Sequence, residues 1–199
     1  MAARDWVLPT DIYLERTKFD RHSRCVSTID AVHRMIHEGF AYHASGKATA
    51  IADGATLEML FKVPAGTFPH FHKVRMQYGA GDVEMDAYEG TTVSADGTSI
   101  TAYNLNRNSS NTPNMTAFHT PTITADGTKI HAQWAPPTAS GTGGSQEGVV
   151  DVTQGEEWIL KPDTNYLFRI TNNSGEIISI GYEIMWYEID FEPIGYSGT

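Results

Sequence analysis

Along residues 56–63 the apolar side chains Leu57, Met59, Phe61 and Val63 alternate with Glu58 and Lys62, and the same two-residue period recurs further on. Val74, Met76 and Tyr78 oppose Lys73, Arg75 and Gln77, while Tyr166, Phe168 and Ile170 oppose Asn165, Arg169 and Thr171. Over 177–189, Ile178, Ile180, Tyr182, Ile184 and Trp186 share one face. Successive side chains of an extended strand point to opposite faces, so this alternation predicts strands with one face buried. A helical period appears over about 28–38, where Ile29, Val32 and Ile36 share a face. Ser27 or Thr28 can cap that helix and Gly39 can end it.

Turn chemistry separates the strands. Asp96-Gly97, Asp126-Gly127 and Asn172-Asn173-Ser174-Gly175 supply the positive φ that tight turns need. The segment Thr92–Ile100 is echoed by Thr122–Ile130 at an offset of thirty residues. Two copies are too few for a solenoid and predict two similar hairpins in one sheet system. The Gly-rich stretch Pro136–Gly148 predicts a flexible loop, after which the β pattern resumes. Many short strands and one short helix predict a mainly β fold, a jelly-roll-like β-sandwich.

The first 24 residues follow neither period. Trp6, Leu8, Ile12, Tyr13 and Leu14 are apolar without alternation, and Arg4, Arg16, Lys18, Arg21 and Arg24 are five of the fourteen Lys and Arg in the chain. The expected organisation is an extended N-terminal arm over 1–24 and a sandwich domain over 25–199. The arm packs either on a partner or on its own domain.

Charge narrows the partners. A formal net charge of −10 and a pI near 5.1 disfavour nucleic acid, which needs a basic surface to release counterions. No apolar run is long enough to span a membrane, and the N-terminus lacks the apolar core of a signal peptide. With Cys25 as the only cysteine, no intrachain disulfide forms and a reducing cytoplasm suits the chain.

Candidate chemistry is sparse. His70-Phe71-His72 on a strand would place both imidazoles on one face, a geometry found at the metal sites of cupin-type jelly rolls. No carboxylate follows before Asp82, and two ligands fall short of the three or four a metal takes, so packed or surface histidines are favoured and no metal is expected. His33 and His37 share a helix face but lack the glutamate of an H-E-x-x-H protease. No G-x-S-x-G elbow or P-loop is present. Glu84, Asp86, Glu156 and Glu157 read as solvated strand faces, and the aromatics Trp134, Trp158, Trp186, Tyr166, Tyr182 and Tyr187 as sandwich core. No catalytic residue and no cofactor are expected.

Several segments in order carry a resemblance: Ala31–Gly39, Leu60–Ala65, Tyr88–Gly90, Tyr103–Asn108, Thr120–Thr124 and Glu157–Pro162. Together, over roughly 29–187, they resemble tailed-bacteriophage virion proteins that decorate or cement the head. The resemblance implies a non-enzymatic jelly-roll-like protein, made in the host cytoplasm and carried on the outer surface of the head. Its implied partners are the major capsid protein and copies of itself, with a trimer favoured over a dimer. Trp6, Leu8, Ile12, Tyr13, Leu14, Arg16, Lys18, Arg21 and Arg24 are then candidate capsid or subunit contacts. Two alternatives stay open: a receptor- or glycan-binding module of a phage fibre, and a cupin-like metalloprotein holding its metal through His70 and His72.

Overall fold

The structure, a computed structural model, describes residues 31–78, 82–135, 146–150 and 157–189. The N-terminal arm, with every candidate contact named on it, and the proposed helix cap lie outside the described residues. The chain opens with α1 (Ala31–Glu38), ended at Gly39 by a positive φ of 79°. The strands follow in order: β1 (Ala41–Ile51), β2 (Thr56–Val63), β3 (Phe68–Tyr78), β4 (Val83–Glu89), β5 (Thr92–Ala95), β6 (Thr98–Ile100) and β7 (Tyr103–Asn104). After them come β8 (Thr116–His119), β9 (Thr122–Ala125), β10 (Thr128–Ala135), β11 (Gln146–Val150), β12 (Trp158–Ile159), β13 (Thr164–Asn172) and β14 (Ile178–Ile189). The loop expected over 136–148 thus gives way to a strand from Gln146.

The long strands pair as a rolled-up hairpin. β1 lies antiparallel to β14, β2 to β13, β3 to β11 and β4 to β10. The pairs β3–β14 and β4–β13 complete one sheet in the order β11-β3-β14-β1-β7 and another in the order β10-β4-β13-β2-β8-β6. Long strands alternate between the two sheets up to β4, β10 folds back beside β4, and β11, β13 and β14 alternate again, which is the jelly-roll connection. The chain is mainly β, as its period predicts.

Burial follows the alternation. Leu57, Met59, Phe61 and Val63 of β2, and Tyr166, Phe168 and Ile170 of β13, face Ile180, Tyr182, Ile184 and Trp186 of β14 across one core. Phe61 meets Phe71 and Phe168 edge-on, each with ring centroids 5.3 Å apart. Edge-to-face packing puts the positive ring edge against the negative face.

The second sheet also buries its outer face. Leu60 and Leu167 point away from the main core, yet both are 0% exposed, and they stand directly opposite each other in the β2–β13 register. Around this pair the sheet has a local two-fold. On one side Leu60 faces Phe118 and Lys62 faces Thr116; on the other Leu167 faces Tyr88 and Arg169 faces Asp86. The echoed segments obey this symmetry, and they are not hairpins. β5 pairs with β9, β6 with β8, and β10 with β4, so each copy crosses over and completes the other's edge. The β5–β9 ribbon is tied across the outer face at both turns. Lys62 Nζ donates to Asp96 at 2.9 and 3.0 Å, and Arg169 makes two 2.8 Å bonds to Asp126.

The turn glycines fix how close the ribbon comes. Gly97 and Gly127 both have φ of 90°, and an added Cβ would meet the His119 carbonyl oxygen at 2.1 Å or that of Glu89 at 2.3 Å. Gly54, at φ 73°, has open space. Gly97→Ala and Gly127→Ala are expected to lower stability by about 2–5 kcal/mol each, joining backbone strain to overpacking. Gly54→Ala should cost about 1–2 kcal/mol from strain alone. Urea unfolding of the three variants checks this; equal losses for all three would contradict the close approach.

Candidate functional site

Three polar clusters deserve chemical scrutiny, and the first surrounds His70. This residue sits on the outer face of β3 opposite Tyr187 of β14, with the rings stacked at 4.6 Å and 21°. Its Nδ1 lies 3.0 Å from Glu157 Oε1, and the Tyr187 hydroxyl donates to Glu157 Oε2 at 2.6 Å. Glu157 arrives beside β12, which pairs with β3 at His70 and Phe71. A carboxylate on Nδ1 orients the ring and leaves Nε2 as a base or metal ligand. That Nε2 is buried without a hydrogen-bond partner. His70 is 5% exposed and bonds to no serine, threonine or cysteine among the described residues.

The second histidine of the pair does not follow the first. The β3–β14 register jumps from Lys73↔Met185 to Phe71↔Trp186, leaving His72 as an extra residue in β3. A bulge interrupts the two-residue repeat that a common ligand face requires. Among the described residues no group of three or more His, Cys, Asp or Glu side chains is placed to hold a metal ion. His33 and His37 stack on α1 at 4.7 Å, with their Nε2 atoms 2.8 Å apart.

The outer-face cluster is the second. Arg169 bridges Glu58 at 2.7 Å and Asp126, while Tyr88 lies beneath both Arg169 and Lys129, at 5.3 and 5.5 Å from its ring centroid. Lys129 and the Tyr88 hydroxyl both donate to Asp86, which is 8% exposed. The hydrogen bond from Arg169 holds the Asp126 carboxyl below its ordinary value, and the Asp126 and Glu58 carboxylates raise the guanidinium. Asp86 is therefore a buried, engaged group, contrary to the solvated reading of its sequence, while Glu157 is exposed but engaged by His70 and Tyr187.

The third cluster links the sheets. Tyr182 of β14 reaches past Gly46, where a Cβ would sit 2.4 Å from its hydroxyl, to within 2.6 Å of His119 Nε2 on β8. Burial lowers the His119 pKa and raises that of Tyr182. The Tyr182 hydroxyl and His119 Nε2 share this hydrogen bond, and burial favours the neutral imidazole.

Trp134 departs from the expected core position. It is 60% exposed, on the outer side of edge strand β10 opposite Glu84, with its indole N–H on Asp82 at 2.8 Å. Trp186, Tyr166, Tyr182 and Tyr187 are buried, and Trp158 packs partly against the core. Sequence reasoning missed Glu157 and Tyr187 as partners of His70, since neither lies near it in the chain. It could have found Asp96 and Asp126, which occupy matching places in the echo. No protein-family model matches the chain, and no curated protein matches it.

Two outcomes follow from these clusters. Elemental analysis of purified protein should find no stoichiometric zinc, iron or manganese; about one equivalent, lost on joint His70→Ala and His72→Ala substitution, would restore the cupin alternative. The His119 cluster also sets a pH dependence. Because the folded-state pKa lies below the ordinary 6.5, the unfolded chain takes up the proton first as pH falls. The contribution is complete above that value and declines below it, through the lowered folded-state pKa. His119→Gln, which keeps an acceptor but cannot titrate, should flatten the fall in melting temperature between about pH 7 and 5. An unchanged slope would contradict the assignment.

Proposed function

We propose that this chain is a non-enzymatic structural protein of a tailed-bacteriophage virion, bound to the outer surface of the assembled head. It cements neighbouring capsomers through the major capsid protein and acts as a homo-oligomer, trimeric before dimeric. The observation that supports it most is where the resembling segments fall. Tyr103–Asn108 closes the end of α1, with the Asn104 amide donating to the Gly39 carbonyl at 2.8 Å and that of Asn106 to His37 at 3.1 Å. Glu157–Pro162 meets Tyr88–Gly90 through Lys161 and Glu89 at 2.6 Å. Thr120 donates its backbone N–H to Glu58 beside Leu60–Ala65. These contacts brace the sandwich, which suits a protein whose product is a rigid shape.

The exposed Trp134 favours a second reading, a receptor- or glycan-binding module of a fibre, because an outward aromatic offers a stacking platform. The partner separates the two. Sedimented with empty assembled heads, the full chain should pellet with shells and stay free of unassembled capsid subunits; a chain that ignores heads contradicts the reading.

Deleting residues 1–24 should leave circular dichroism and melting unchanged but weaken retention on heads or trimer formation seen by light scattering. Burying one large apolar side chain contributes about 1.5–3 kcal/mol, whereas an exposed ion pair contributes about 0–1 kcal/mol. Replacing Arg16, Lys18, Arg21 and Arg24 with Gln should therefore have a smaller, salt-sensitive effect. An unfolded truncated chain would assign the arm to the domain's own core.

A further inference from the structure

The local two-fold through Leu60 and Leu167 compares two halves of one surface. In one half the cation, Arg169, is held by two carboxylates, Glu58 and Asp126. In the other the corresponding cation is Lys62, and the position matching Glu58 is Asn165, as the paired bonds Thr120 N–H to Glu58 and Gly90 N–H to Asn165 establish. The position matching Asp86 is Thr116. Lys62 therefore has one carboxylate partner, Asp96, and the space around it is a groove of about 630 Å³. Such a volume falls in the range of about 300–1,000 Å³ common to small-molecule sites.

The groove wall combines donors and acceptors that no hydrogen bond within the described residues engages. They are the Asn114 side-chain amide, the Thr116 hydroxyl, the Asp163 carboxylate and Oδ1 of Asn165, whose side-chain N–H is directed to Thr91. Lys62 and Asp163 are the charged groups of the lining, one of each sign, and Asp96 lies on the lysine. This balance does not favour an anion such as phosphate, which calls for excess donors and positive charge. Pro64 adds an apolar wall. A ring bearing alternating hydroxyl donors and acceptors, with a C–H face, fits these groups.

We propose that this groove, between the start of β13, the end of β2 and the approach to β8, is a binding site for a neutral saccharide. The proposal does not rest on the head-binding reading. The test is a two-dimensional amide NMR titration of the full chain with the methyl glycosides of glucose, galactose and N-acetylglucosamine, and with inorganic phosphate.

At least one glycoside should give saturable millimolar shifts confined to residues 62–64, 90–91, 114–116 and 163–165. Thr116→Val and Asn114→Ala, with spectra otherwise matching the parent, should each weaken that binding about three- to ten-fold, the loss of one neutral hydrogen bond. Phosphate should give no saturable shift in the groove. Three results would overturn the proposal: no saturable glycoside shift at those residues, tighter binding of phosphate than of any glycoside, or variants that bind as the parent does.

Discussion

Leu60 and Leu167 must be kept from water although they point away from the core, and the organisation of residues 90–130 answers to that constraint. Fully burying a leucine contributes about 1.5–3 kcal/mol relative to leaving it exposed. The burial is available only if something lies over the sheet. The crossed segments between β4 and β10 supply the cover, and the charges at their turns hold it in place. Lys62 with Asp96 and Arg169 with Asp126 tie the ribbon at two symmetric points. The glycines at φ 90° let those turns approach backbone carbonyls that any Cβ would strike. Charge, turn and packing thus act on one surface, and the bidentate arginine is the stronger of the two ties.

Most of the core was legible from period alone. Leu57, Met59, Phe61 and Val63 face inward as their alternation requires, and Gly39 ends the helix. What escaped sequence reasoning depends on long-range pairing or on a broken period. The echoed segments look locally like hairpins because each has an Asp-Gly turn between β-rich runs. Only the long-range pairing of β6 with β8 and of β10 with β4 reveals that they exchange partners. His72 escaped because a bulge is invisible in an H-x-H pattern, and Glu157 because 87 residues separate it from His70. Trp134 lies on the outer side of an edge strand, where alternation predicts two faces without saying which is covered.

The described clusters are alike in one respect: their polar atoms mostly hold elements together. Glu188 accepts the backbone N–H groups of Asn114 and Met115 at 2.7 and 3.0 Å, fixing the loop ahead of β8. Asn172 closes the turn beside Ile51, and Tyr182 joins the sheets through His119. Such bonds rigidify a surface, and rigid surfaces are what repeated docking on a lattice demands, because less ordering entropy is lost on binding. That physical logic is compatible with the assembly role proposed above.

A cryo-electron reconstruction of phage heads incubated with the full chain tests that role most directly. The account predicts density of jelly-roll size on the outer surface of the assembled shell, grouped in threes about local symmetry axes at capsomer boundaries. Bare heads at saturating protein, or density confined to a fibre or to the interior, would contradict it.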